Sequence, residues 1–110
     1  SELDGAQGIL VVTPEYNRGV SGVLKNAIDI ASRPYGKNSF ARKPVATAGM
    51  SIGPIGTAAA QQQLRAMLVY LDSAVLGQPE LYLHWKEGLI DENGRVGVPD
   101  TDAFLRKFVD

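Results

Sequence analysis

The apolar run Ile9, Leu10, Val11, Val12 has no polar alternation and stops abruptly at Thr13, Pro14, Glu15, Tyr16, Asn17. An uninterrupted, β-branched run reads as a strand buried on both faces, the pattern of parallel strands covered by helices. In an open α/β sheet the carboxyl ends of such strands border the ligand crevice, so the break falls where a small molecule or cofactor would sit. Pro14 fixes its own φ and biases Thr13 toward an extended backbone, which ends the strand in a defined turn. Glu15, Tyr16 and Asn17 then supply an acceptor, a flat ring and an amide. The same five residues also read as a plain solvated turn, and the pentapeptide does not decide between the two.

The pattern then changes period. Apolar residues at Val23, Leu24, Ala27, Ile28 and Ala31 form a helical stripe, with Ser21 as a possible N-cap and Pro34 just past the end. Val45 to Met50, introduced by Lys43 and Pro44, reads as a second buried strand whose small residues allow close helix packing. The turn Ser51, Ile52, Gly53, Pro54, Ile55, Gly56, Thr57 leads into a long helix over about 58–73. Its glycines let a backbone approach a ligand and offer amide donors, although tight strand-to-helix connections use glycine anyway.

On that helix Leu64, Met67, Leu68, Leu71 and Ala60 fall on one core-facing stripe, and Gln61, Gln62, Arg65 and Asp72 lie elsewhere. Val69 and Tyr70 widen the apolar face, a hint of a subunit contact. Val75, Leu76, then Leu81, Tyr82, Leu83 read as a last strand broken by Gly77 and Pro79. A turn-rich excursion follows over 88–97, with Asn93 and Gly94 as a hairpin signal. Residues 101–109 close the chain as a helix with Phe104, Leu105 and Phe108 facing inward.

Composition narrows the function classes. At 110 residues and 45% hydrophobic, the chain suits one domain, 1–110, with a modest core. A formal charge of −1 provides no polyanion-binding face, so nucleic acid is not an expected partner. No long apolar span points to a membrane segment, and the first residues do not read as a signal peptide, which leaves the cytoplasm as the default location. With no cysteine, disulfides and thiol chemistry are excluded. His84, the single histidine, sits beside Trp85 after a strand and reads as structural. No Asp, Glu and His cluster has metal-ligand spacing, and no Ser/His/Asp pattern supports hydrolysis.

The segments VVTPEYNRGVSGVLKNAIDIASRP and KPVATAGMSIGPIGTAAAQQQLR resemble the NAD(P)H-dependent FMN reductase family. These are flavodoxin-like flavoproteins that include the bacterial chromate and quinone reductases. The likeness runs from about residue 6 to about residue 80, with a weaker echo in KEGLIDENGRV. It implies an α/β fold: a flavodoxin-like, doubly wound parallel sheet in a three-layer α/β/α arrangement. That fold has five strands in the order 2-1-3-4-5. Only three strands are credible here, and nothing matches the family's Ser- and Arg-containing loop around the FMN phosphate. Residues 1–5 look like the tail of a preceding helix. The expectation is therefore the C-terminal part of such a domain, lacking its N-terminal strands and exposing an apolar edge at residues 9–12.

Carried over residue by residue, the resemblance implies that Pro14, Glu15, Tyr16 and Asn17 contact FMN, largely through backbone and the Tyr and Asn groups. Met50 and Ser51 match the second flavin-side loop. Arg33 matches a position that in related reductases reaches a neighbouring subunit's flavin pocket, and reads equally well as a cation at a helix C-terminus. Ser21 stands where relatives usually have proline, a change expected to loosen the loop, and Ile30 where they usually have tryptophan. The implied chemistry is hydride transfer from NAD(P)H to FMN, with electrons passed to a small-molecule acceptor: a quinone, free flavin, azo compound or metal oxyanion such as chromate. A homodimer or homotetramer is implied, with the helix after the loop at the interface. The competing classes are a flavodoxin-like electron carrier and a non-catalytic interaction module. Carriers of that kind tend to be strongly acidic, unlike this near-neutral chain.

Overall fold

Two long apolar runs become adjacent parallel strands in the computed structural model, which describes residues 2–110. Strand β1 (Ile9–Thr13) pairs with β2 (Pro44–Ser51) in a continuous register from Ile9↔Val45 to Thr13↔Gly49. The other edge of β2 carries two short parallel strands, one after the other. β3 (Ala74–Val75) pairs with Pro44 and Val45, and β4 (Tyr82–His84) pairs with Gly49, Met50 and Ser51. The break between them spans Gly77 and Pro79, as the sequence suggests: proline has no N–H for the ladder, and glycine has no side chain to pack in it.

β1 departs from the expectation of burial on both faces. Its exposure alternates, with Val11 and Thr13 buried but Leu10 58% and Val12 66% exposed. Residues paired in a parallel register share a face, so Val11 and Thr13 look the same way as Val45 and Thr47. The helices of this chain cover that face. Val11 and Val45 join Ile28, Phe40, Leu64 and Leu68 in one cluster, with Leu3, Val20, Leu24 and Met67 packed against it. Replacing Leu64 or Leu68 by alanine would cost about 2–5 kcal/mol, because both are fully buried.

The helices bury narrower stripes than their apolar residues alone suggest. The short α1 (Glu2–Gly5) docks through Leu3 and through Asp4, which accepts from the Ser39 hydroxyl at 2.6 Å. α2 (Gly22–Ala31) begins at Ser21, whose Oγ accepts from Leu24 N at 3.1 Å. Ser21 therefore closes the helix start with a bond that proline could not make, the N-cap that the sequence suggests. Its buried stripe is narrower than expected. Leu24, Ile28 and Ala31 face inward at four- and three-residue spacing, whereas Val23 is 83% exposed.

α3 (Ala58–Tyr70) ends three residues earlier than the sequence suggests. Asp72 turns left-handed at φ 63, and Ser73 N and Asp72 N donate to Leu68 O and Val69 O. This double bond pattern closes a helix just past its C-cap. Farther on, Ile90 and Val96 bridge antiparallel around the Asn93–Gly94 turn, where Asp91 Oδ1 accepts from Asn93 N and Arg95 N. α4 (Pro99–Val109) follows. Leu105 and Phe108 are half-buried, but Phe104 is exposed, so only part of its expected inward face has a surface to meet.

Candidate functional site

β1 and β2 both point their carboxyl ends at one rim of the sheet, and each runs there into a turn. After Thr13, Pro14 lies exposed and Tyr16 pairs with Gly19 in a tight hairpin, each N–H donating to the other's carbonyl at 2.9 Å. The two residues between them, Asn17 and Arg18, have φ of 53 and 67. Two consecutive left-handed residues are what a two-residue hairpin of the type I′ kind requires, and asparagine tolerates that geometry better than most. The hairpin was not legible beforehand, because Asn-Arg is a weaker signal than Asn-Gly.

The second turn, residues 51–57, crosses the rim beside it. Ser51 ends β2, its hydroxyl donating to Gly53 O at 3.3 Å and its carbonyl accepting from Trp85 N at 2.7 Å. Met50, one residue earlier, is partly buried beside Leu83 in the ladder. At Gly56 (φ 57) a Cβ would lie 2.8 Å from the Tyr82 carbonyl carbon, so the turn can lie flat on β4 only with glycine there. Gly53 differs: a Cβ there would meet only Ser51 Oγ at 3.8 Å, which leaves its backbone open to approach. The N–H groups of Ile52 and Gly53 have no partner among the described residues.

Beneath this turn a buried amide holds the frame together. Gln61 was expected away from the core stripe, yet it is fully buried. Its Oε1 accepts from the Thr47 hydroxyl at 2.9 Å, while Nε2 donates to Thr57 Oγ1 at 2.9 Å and to the Leu81 carbonyl at 2.8 Å. One side chain thus ties β2, the turn and the approach to β4 together. Full satisfaction is what permits an amide at such a position. Thr57 needs the support, being a β-branched residue held at φ 77 in full burial. Close by, Gln62 Nε2 donates to the Tyr82 hydroxyl at 2.9 Å, and that hydroxyl donates in turn to Glu80. The Tyr82 bond, with a further one from Gln78, holds the Glu80 carboxyl below its ordinary range. Burial, and then the Glu80 contact, push the Tyr82 phenol up.

Between hairpin and turn is a cleft of about 360 Å³ lined by Glu15, Asn17, Arg18, Ser51, Ile52 and Gly53, with Pro54 and Ile55 at its end. Glu15 and Asn17 of the first loop and Ser51 of the second therefore meet around one space. Tyr16 stands largely exposed on the hairpin, and Met50 lies just behind Ser51. Arg33 is not brought to this cleft. It sits past the far end of α2, its guanidinium 4.3 Å from the Tyr35 ring centroid and donating to Ser32 Oγ at 3.0 Å. There it borders a separate cavity of about 410 Å³ between α2 and α3, with Lys25, Met67 and Tyr70. Among the described residues no helix is long and apolar enough to cross a membrane.

Comparisons with known proteins show which family the chain resembles. The model of the family described as NADPH-dependent FMN reductase matches residues 1–87. The 2-hydroxy-1,4-benzoquinone reductase of a Burkholderia species is 49% identical over 109 residues, covering 99% of this chain and 60% of that protein. A quinone reductase of Pseudomonas putida is 43% identical over 109 residues, covering 99% and 58%. Among solved structures, FerB, a flavoenzyme NAD(P)H:(acceptor) oxidoreductase from Paracoccus denitrificans, superposes with a TM-score of 0.94 at 41% identity, covering 99% of this chain and 60% of that one. The chain thus spans about 60% of the length of these relatives. Its parallel sheet with flanking helices is the flavodoxin-like arrangement, and the chain belongs to the NADPH-dependent FMN reductase family.

Proposed function

We propose that this chain works within an FMN-dependent NAD(P)H oxidoreductase that reduces a small-molecule acceptor, with quinones the first candidates and free flavin, azo compounds and chromate the further ones. One observation carries the reading: two turns meet around a cleft at the carboxyl ends of adjacent parallel strands, in a chain of this family. The residues fit a flat, polar-edged ring system. Ser51 offers a hydroxyl, Asn17 an amide, and the Ile52 and Gly53 N–H groups are free donors beside an open glycine. The volume is within the usual range for small-molecule sites.

The chemistry supplied by bound FMN is acceptance of a hydride from NAD(P)H and release of electrons to the acceptor. The chain's own residues bind and orient. Pro14 and the Tyr16–Gly19 hairpin hold the Tyr16 ring and the Asn17 amide at the rim, while Ser51, Ile52 and Gly53 form the opposing wall with Met50 behind Ser51. Donors fixed by a hydrogen-bonded frame need no rearrangement when a ligand arrives. Arg33 serves, in this reading, the cleft of a second subunit. A homodimer or homotetramer is supported by exposed Val23 and Ile30 on α2 and by Val69 and Tyr70 on α3.

The test is a visible spectrum of the purified full-length protein, followed by anaerobic NADPH. A flavin band that bleaches supports the proposal, and a colourless protein that FMN cannot reconstitute sinks it. Tyr16→Ala should weaken FMN retention about tenfold, the effect of losing one stacked or edge-on ring. Tyr70→Ala, outside this cleft, should weaken it less, and equal flavin occupancy in the two variants would argue against the assigned cleft.

A further inference from the structure

The start of α3 lacks a cap of its own. Thr57 occupies the N-cap position in a left-handed conformation, makes no side-chain bond to the helix amides, and has its hydroxyl engaged by Gln61. No acidic residue lies in the first turn either. The third helical residue, Ala60, nevertheless has its N–H satisfied: Glu15 Oε1 accepts from it at 2.8 Å, across 45 positions of sequence. That amide is the one an N-cap side chain normally takes, and a carboxylate there is also favoured by the helix dipole. A second tie joins the same two elements, since Gln63 Nε2 donates to the Arg18 carbonyl at 3.2 Å. The approach is close: a Cβ on Gly19 would lie 2.9 Å from Gln63 Oε1.

We propose that Glu15 is a positioning residue, a latch that caps α3 from the hairpin and so sets the gap between the two loops of the cleft. The turn 51–57 is already referenced to α3 through Thr57 and Gln61. Tying the hairpin to the same helix end gives both walls one common frame. Glu15 thus acts through Asn17 and Tyr16 on one side and Ser51 on the other, with its carboxylate committed to the Ala60 amide. The inference rests on the FMN reading for its consequence, but the latch itself is testable without flavin.

The experiment compares wild type, Glu15→Ala and Glu15→Gln in the full-length protein, reading Ala60 amide exchange in the FMN-free form and FMN affinity by flavin fluorescence. Glutamine keeps an acceptor oxygen at the same reach, whereas alanine removes it. Ala60 exchange should accelerate about five- to tenfold in Glu15→Ala, and less than half as much in Glu15→Gln. FMN affinity should follow the same order, falling about tenfold in Glu15→Ala and at most about threefold in Glu15→Gln. Unchanged Ala60 exchange in Glu15→Ala overturns the latch. So does an equal loss of affinity in both variants with Ala60 still protected, because that pattern marks a direct charge contact with the ligand. A wild-type protein that takes up no FMN would defeat the flavin reading alone, and the Ala60 exchange would still decide the latch.

Discussion

The two walls of the cleft are built by different means. The hairpin after β1 is shaped by local geometry, two left-handed residues and a pair of 2.9 Å backbone bonds, and is tied to α3 only through Glu15 and Arg18. The turn after β2 is made by burial, with Gly49 and Gly56 pressed against neighbouring backbone and Gln61 bonding three separate segments. The fold of a locally built turn tolerates changes that keep its backbone angles, provided that its ties to α3 remain. A wall built by tertiary contacts fails when one atom is added or one partner removed.

Substitutions can separate the two. The largest effect is expected at Gly49, where a Cβ would lie 2.5 Å from the Thr13 carbonyl and closer still to the Thr57 hydroxyl. Gly49→Ala should destabilise by about 3 kcal/mol, read as a shift in denaturant midpoint, because neither neighbour is a flexible side-chain end. Gln61→Leu comes next. It fills the space but strands the Thr47 hydroxyl and the Leu81 carbonyl in burial, for a loss of about 2 kcal/mol. A midpoint unchanged by this substitution would show that the buried network is not what holds the turn. The smallest effect belongs to the hairpin. Asn17→Val should cost about 1 kcal/mol because valine resists positive φ, and Asn17→Gly should be neutral within about 0.5 kcal/mol. If Asn17→Gly proved as damaging as Asn17→Val, the asparagine side chain rather than its backbone angle would be what matters.

The same contrast explains how much could be read from residue order. β1 and β2 are visible as short apolar runs and α2 and α3 as helical stripes, and their ends carry Ser21, Pro34, Pro44 and Gly53 or Gly56. The split of the third sheet position at Gly77 and Pro79 was visible for the same reason. Gln61 was not. A polar residue off the main apolar stripe reads as solvent-facing, and only the positions of Thr47, Thr57 and Leu81 reveal a buried amide. Val23 failed in the opposite sense: its type fits the stripe, but the stripe is narrower than its members suggest. Of the site, Asn17 and Ser51 come together with Glu15 around the cleft, while Arg33 stands at the other end of α2.

By itself the sequence determined where strands end and helices begin, and therefore that Pro14 to Asn17 and the turn from Ser51 lie at the carboxyl-end rim of the sheet. Those properties depend on backbone angles and spacing, which neighbouring residues set. The tertiary structure decided that Glu15 caps a helix 45 positions away and that Gln61 is core. Hydrogen-bond partners from distant segments become defined only once the chain has closed, because a bond of 2.8 Å requires both atoms to be in place.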